Sequence, residues 1–230
     1  MSPAPALVAC FHGTRDPAGQ GEVDRLVAGI AARRPSVEVL AGYLGVQQPL
    51  VGDVVAGLAA AGRASIVVPV FLTGGYHVHV DVVRAVEAAD GRAIAARPVG
   101  PDRVLVEILA RRLAEAGSGP EDLVVLAGAG SSDPHALADV EWTAQELGRR
   151  LGTAVRASYL AAAEPAVADA VAAIRTPGCR VAVSGYLLTA GQFASRLGQV
   201  GADLVAAPLL PDPGLADLVL RRYDAARPRR

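Results

Sequence analysis

The sequence predicts an α/β fold made of two similar doubly wound parallel-sheet domains related by internal duplication. Three observations carry this. Short apolar, β-branched runs alternate with segments of helical spacing along all 230 residues, a pattern that pairs strands in parallel through helical crossovers. The alternation breaks once, at the polar and flexible Gly117-Ser118-Gly119-Pro120, and then restarts. Residues on the two sides of that break also match one another at a nearly constant offset.

Residues 7–11 are an apolar run, read as a strand that ends in His12-Gly13-Thr14-Arg15-Asp16-Pro17. Residues 22–34 place Val23, Leu26, Val27, Ile30 and Ala31 at helical spacing. Residues 37–44 form a second strand. Pro49 suits the first turn of a helix with an apolar face of Leu50, Val54, Val55 and Leu58. Residues 65–71 are a third strand, broken by Thr73-Gly74-Gly75, which fits a tight turn or a close approach to a ligand. A helix over 81–89, a strand over 93–97 and a helix over 104–116 complete the first half. Beyond the break, 123–127, 154–159, 181–188 and 204–206 read as strands, and 137–151, 165–174, 193–200 and 215–225 as helices. The expected domains are 1–118, which carries the histidine motifs, and 119–230, a degenerate copy.

The duplication is visible residue by residue. His12-Gly13-Thr14-Arg15-Asp16-Pro17 aligns with Ala129-Gly130-Ser131-Ser132-Asp133-Pro134, an offset of 117 (133 minus 16). Tyr43-Leu44 and Gln48-Pro49 align with Tyr159-Leu160 and Glu164-Pro165, and Leu72-Thr73-Gly74-Gly75-Tyr76-His77 with Leu188-Thr189-Ala190-Gly191-Gln192-Phe193, at 116 (165 minus 49). Glycines, Asp-Pro and Tyr-Leu persist in both halves. His12 and His77 do not, being replaced by Ala129 and Phe193. Folding therefore does not require imidazole at either place, which points to chemistry.

Composition narrows the alternatives. Hydrophobic residues are 52% and charged residues 20%, enough for a sizeable core. A formal net charge of -1 gives no general attraction to nucleic acid or an anionic membrane. Every basic residue is Arg, which excludes a Schiff-base lysine and a Walker-type phosphate loop. Cys10 and Cys179 are too few for a disulfide framework or a thiolate metal site. No apolar run reaches ~18 residues, and the start lacks a basic leader region; a cytoplasmic protein is expected. Neither a Gly-x-Ser-x-Gly elbow nor a His-Glu-x-x-His helix is present, so the common hydrolase routes are not signalled.

His12 and His77 each follow a buried strand, in equivalent places on successive βα units. Neighbouring strands would bring both to one crevice at the carboxyl edge of the sheet, where open α/β folds bind ligands. Neutral imidazole suits divalent iron, cobalt, nickel or zinc. Two protein ligands leave coordination positions open, as a site that passes its metal onward requires. An imidazole, with an unperturbed pKa near ~6.5, can also accept protons at neutral pH. His79 either supports this pair or lies on the surface, and Asp81 either orients a histidine or caps its helix. His135 reads as a surface residue. Thr14 and Arg15 are placed to attract carboxylates or to make an ordinary loop ion pair. Glu164 either faces the crevice or caps a solvated helix start.

These motifs resemble a family. His12-Gly13-Thr14-Arg15-Asp16-Pro17 is similar to the His-Gly-Ser-Arg-Asp-Pro opening of the sirohydrochlorin chelatases, the class II tetrapyrrole chelatases. The segment Phe71 to Asp81 resembles their second motif, Phe-Leu-x-x-Gly-x-His with Asp four residues on. The match is strong over about the first 100 residues, with the second half a degenerate copy, as in a fused two-domain form. The resemblance implies a chelatase-like fold and a lyase that inserts Co2+ or Fe2+ (or Ni2+) into sirohydrochlorin, for siroheme or cobalamin biosynthesis. The metal is then a substrate, with no permanently bound cofactor. It also implies His12 and His77 as metal ligands and bases, and Thr14, Arg15, Gly75, His79, Arg84 and Glu164 around a carboxylate-rich macrocycle. A monomer is expected, the two halves forming the crevice. Members often carry Glu four residues before the Pro of the second-strand segment, where this chain has Gly45 and, in its repeat, Ala161. Glu164 or His79 would then supply the third polar group. The departure motivates an alternative, a non-catalytic metal or tetrapyrrole carrier.

Overall fold

Each half of the sequence builds one four-stranded parallel sheet. In a computed structural model, which describes residues 4–75 and 78–227 with backbone alone at 78 and 79, the first sheet contains β1 (Ala6–Phe11), β2 (Val39–Tyr43), β3 (Ser65–Pro69) and β4 (Ala93–Ala95). Their order is β2-β1-β3-β4. The second sheet repeats it with β5 (Leu123–Gly128), β6 (Val155–Tyr159), β7 (Val181–Tyr186) and β8 (Leu204–Val205), in the order β6-β5-β7-β8. The helices are α1 (Pro17–Arg33), α2 (Val51–Ala60), α3 (Val83–Glu87), α4 (Arg103–Glu115), α5 (Pro134–Leu151), α6 (Val167–Ile174), α7 (Gln192–Leu197) and α8 (Pro213–Ala226).

All six residues of β1 are buried, because both faces of the sheet are covered, as parallel sheets require. Ala6, Val8 and Cys10 pack with Val51, Val55 and Leu58 of α2 and with Val82, Ala85 and Ala89 around α3. Toward the other face, α1 runs along β2 and α8 along β3. The second sheet has the same arrangement. Val125, Ala127, Val181 and Val183 pack with Val167, Ala170 and Val171 of α6 and with Leu197 of α7, while α4 and α5 pack together with α4 along β7.

The helix that closes each sheet comes from the other repeat. The chain forms two compact units, one of residues up to Gly100 together with Asp212 onward, the other of Pro101–Pro211. Helix α4 thus follows the first repeat but belongs to the second sheet, and α8 does the reverse. Matching arginines fasten them. Arg222 donates to the carbonyls of Pro98 (2.8 Å) and Val99 (3.1 Å) in the first unit. Arg112 donates to those of Pro208 (3.0 Å) and Leu209 (3.3 Å) in the second. The segment 117–120, expected as a flexible linker, is a tight turn inside the second unit. Gly117 has φ 83°, and Asp122 accepts from the Gly119 amide at 2.8 Å.

Helix starts differ from expectation where capping decides. Helix α1 begins at Pro17 rather than 22, because Asp16 Oδ1 accepts from the amides of Ala18 (2.8 Å) and Gly19 (3.3 Å) and Pro17 occupies the first turn. Pro49 and Pro165, expected to start helices, precede them. Their carbonyls accept from Tyr43 and Tyr159, both at 3.0 Å, so each proline extends the sheet edge. The segment after β3 begins as a π-helical turn, Val78–Val82, before α3. No helix among the described residues is long and apolar enough to cross a membrane.

Candidate functional site

The strand order fixes where a ligand site belongs. From β1 the chain goes outward through α1 to β2, then returns through α2 to β3 on the other side of β1. The carboxyl ends of β1 and β3 are therefore the topological switch point, where loops diverge and leave a crevice. The strands pair from Ala6 with Ser65 to Cys10 with Pro69, and Val70 N donates to Cys10 O at 2.8 Å. His12 lies immediately past β1 at this edge and is exposed.

Three segments meet here. Leu44 N donates to Phe11 O at 2.9 Å, joining the segment after β2 to the end of β1. Gly13, with φ 96°, lies so close that a Cβ would be 2.4 Å from Gly45 O. Thr14 N donates to Gln47 Oε1 at 2.8 Å, and Gln20 Nε2 donates to Thr14 O at 2.9 Å. From the β3 side, Gly100 N donates to Phe71 O at 2.9 Å, and a Cβ at Gly100 would be 2.0 Å from Leu72 O. Burial, with a contribution from the Asp81 carboxylate, pushes the Cys10 thiol up to about 12. Asp81, at the far end of the second motif, is thus within electrostatic reach of the end of β1.

The proposed ligands divide as follows. His12 is at the crevice edge. His77 lies outside the described residues, and His79 is described by its backbone alone within the π-helical turn. Among the described residues, no group of three or more His, Cys, Asp or Glu is placed to hold a metal ion. Thr14 Oγ1 accepts from Asp16 N at 3.1 Å, and its counterpart Ser131 accepts from Asp133 N at 3.0 Å. Both hydroxyls thus build the same turn. Glu164 accepts from Ala166 N at 2.9 Å, as Gln48 does from Leu50 N at 3.2 Å; both cap their own loops. Arg15 and Arg84 are exposed, and Gly75 is half-buried in the segment after β3. Gly45 has open space where a side chain would project. His135 is an exposed residue in the first turn of α5, as expected.

Three residues of this region carry no motif and were missed: Cys10, Gln20 and Gln47. The repeat could have revealed all three. At the offsets already established, Cys10, Gln20 and Gln47 correspond to Ala127, Leu137 and Ala163, and Asp81 corresponds to Leu197. The polar groups around the first switch point are apolar in the second, while the scaffold is kept. Gly13 and Gly130 have φ 96° and 92°, and Val46 and Ala162 have φ 67° and 56°.

Comparison with known proteins agrees with this architecture. A family model described as CbiX matches the chain twice, over residues 6–116 and 123–226. A sirohydrochlorin cobaltochelatase of Methanosarcina barkeri is 28% identical over 123 residues, covering 48% of this chain and 95% of that protein. One from Methanosarcina acetivorans is 27% identical over the same length. Among solved structures, SirB from Bacillus subtilis with Fe3+ superposes with a TM-score of 0.85 at 22% identity, covering 96% of this chain and 95% of that one. The sirohydrochlorin chelatase SirB from Bacillus subtilis subspecies spizizenii, in complex with cobalt, gives 0.79 at 20% identity, with the same coverages.

Proposed function

Since the chain belongs to the CbiX family, whose model it matches once in each half, we propose that it is a sirohydrochlorin chelatase, a lyase that inserts Co2+ or Fe2+ into a carboxylate-rich tetrapyrrole. The observation that carries the reading is the position of His12 at the β1/β3 switch point, together with its replacement by Ala129 in the repeat.

In this reading His12 and His77 bind the incoming ion, and the metal is a substrate rather than a resident cofactor. Imidazole is a ligand only when neutral. The macrocycle must lose its two inner pyrrole protons as the metal passes to it, and the imidazoles of His12 and His77, released from the ion by that transfer, accept one each. Arg15 and Arg84, both exposed, anchor carboxylates of the substrate by charge-assisted hydrogen bonds. Gly75 lets the backbone approach the ring. Gly45 leaves open the space into which a side chain would project, which leaves metal selection to the imidazoles and to solvent.

The test is to add Co2+ or Fe2+ to sirohydrochlorin, with and without the protein, and follow the absorbance of the macrocycle. Accelerated insertion is expected. The open space at Gly45 favours one second reading, a carrier of metal or tetrapyrrole; tight binding of the metallated product without acceleration would establish it instead.

A further inference from the structure

The loop that bears His12 is held differently from its counterpart in the second half, and the difference lies in one side chain. Gln47 Oε1 accepts the Thr14 amide at 2.8 Å. A backbone amide only donates, so the oxygen of Gln47 must face Thr14. Gln20 takes the remaining backbone group, donating to Thr14 O at 2.9 Å. Thr14, two residues past His12, is thereby held at both its amide and its carbonyl.

None of this is needed to close the loop. In the second unit the counterparts are Ala163 and Leu137, yet Leu160 N still reaches Gly128 O (2.9 Å) and Ala161 N reaches Ala129 O (3.1 Å). Gly130 still packs against Ala161 O. Backbone pairing and the glycine build the turn in both halves. The glutamine clamp occurs in the half that has the histidine.

We propose that Gln47 is a positioning residue for His12: through Thr14 it holds the loop in the geometry in which the imidazole meets the metal. This rests on the chelatase reading and adds to it a residue that touches neither metal nor macrocycle. Groups that orient a ligand typically change metal affinity or activity 10–100-fold.

Two variants separate positioning from folding. Gln47→Ala removes the acceptor, whereas Gln47→Glu keeps an oxygen for the Thr14 amide. Three readouts are compared with wild type: amide exchange at Thr14, the dissociation constant for Co2+ alone from its visible absorption, and steady-state insertion into sirohydrochlorin. Gln47→Ala is expected to expose the Thr14 amide, to weaken Co2+ binding about 10-fold, and to lower kcat by a similar factor with KM for the tetrapyrrole unchanged. Gln47→Glu is expected to restore all three. Faster Thr14 exchange with unchanged Co2+ affinity and kcat would overturn the proposal and leave the chelatase reading intact, as would a Glu variant as impaired as Ala. If wild type itself neither binds Co2+ nor inserts it, the functional reading falls and the positioning role falls with it.

Discussion

Gly13 shows what the loop after β1 demands of a single residue. Its φ of 96° and the 2.4 Å between a would-be Cβ and Gly45 O leave no room for a side chain. Gly13→Ala is expected to lose about 1–2 kcal/mol from the left-handed backbone alone, and more from the displaced Gly45 carbonyl; urea unfolding measures this, and an unchanged midpoint would contradict it. Cys10 makes a second prediction at this scale. It is buried, and its thiol is pushed up to about 12, so near neutral pH it has almost no thiolate to react. A thiol reagent should modify Cys179 alone in the native protein and both cysteines in denaturant. Prompt native reaction at Cys10 would refute the burial described for β1. At this scale the sequence is legible where a residue type is rare or repeated. His12 stood out among four histidines. Gln47 did not, because a loop glutamine belongs to no periodic pattern and gains meaning only from its partner, Thr14.

The elements follow from local rules more than from periodicity. Apolar runs located all eight strands of the described residues, but periodicity misplaced the start of α1, since Asp16 and Pro17 add a polar first turn that has no apolar stripe. It also read Pro49 and Pro165 as helix starts, although their carbonyls belong to the sheet edge. The turn between α4 and β5 shows an electrostatic version of such local control. The Gly119 amide, and after it Arg180, hold the Asp122 carboxyl below its usual range. A carboxylate lowered in the fold contributes stability above its unfolded pKa of about 3.9, and that contribution disappears as pH falls through the folded value. Asp122→Asn should therefore be less stable than wild type near pH 7, with the gap closing as pH falls below the usual carboxylate range. Urea midpoints across that range test it; a gap that stays constant with pH would mean the carboxylate charge is irrelevant.

At the scale of the whole molecule, the duplication was legible and the helix exchange was not. Helices α4 and α8 have apolar faces that would suit either sheet, and sequence order favours the sheet that precedes each one. What decides is the exchange of packing seen in the two compact units, fastened by Arg112 and Arg222. Deleting residues from 213 onward should therefore strip amide-exchange protection from β1, β2 and β3 while sparing β5, β6 and β7. Loss confined to the second repeat's strands would contradict the exchange. The same asymmetry bears on function, because the scaffold is doubled while His12, His77, Cys10 and Asp81 have no titratable counterpart in the second half. The most direct measurement is the rate of Co2+ insertion into sirohydrochlorin by His12→Ala and His77→Ala, each checked for native folding. The account predicts a fall of at least about 100-fold in kcat for either variant, and insertion at the wild-type rate by either one would contradict it.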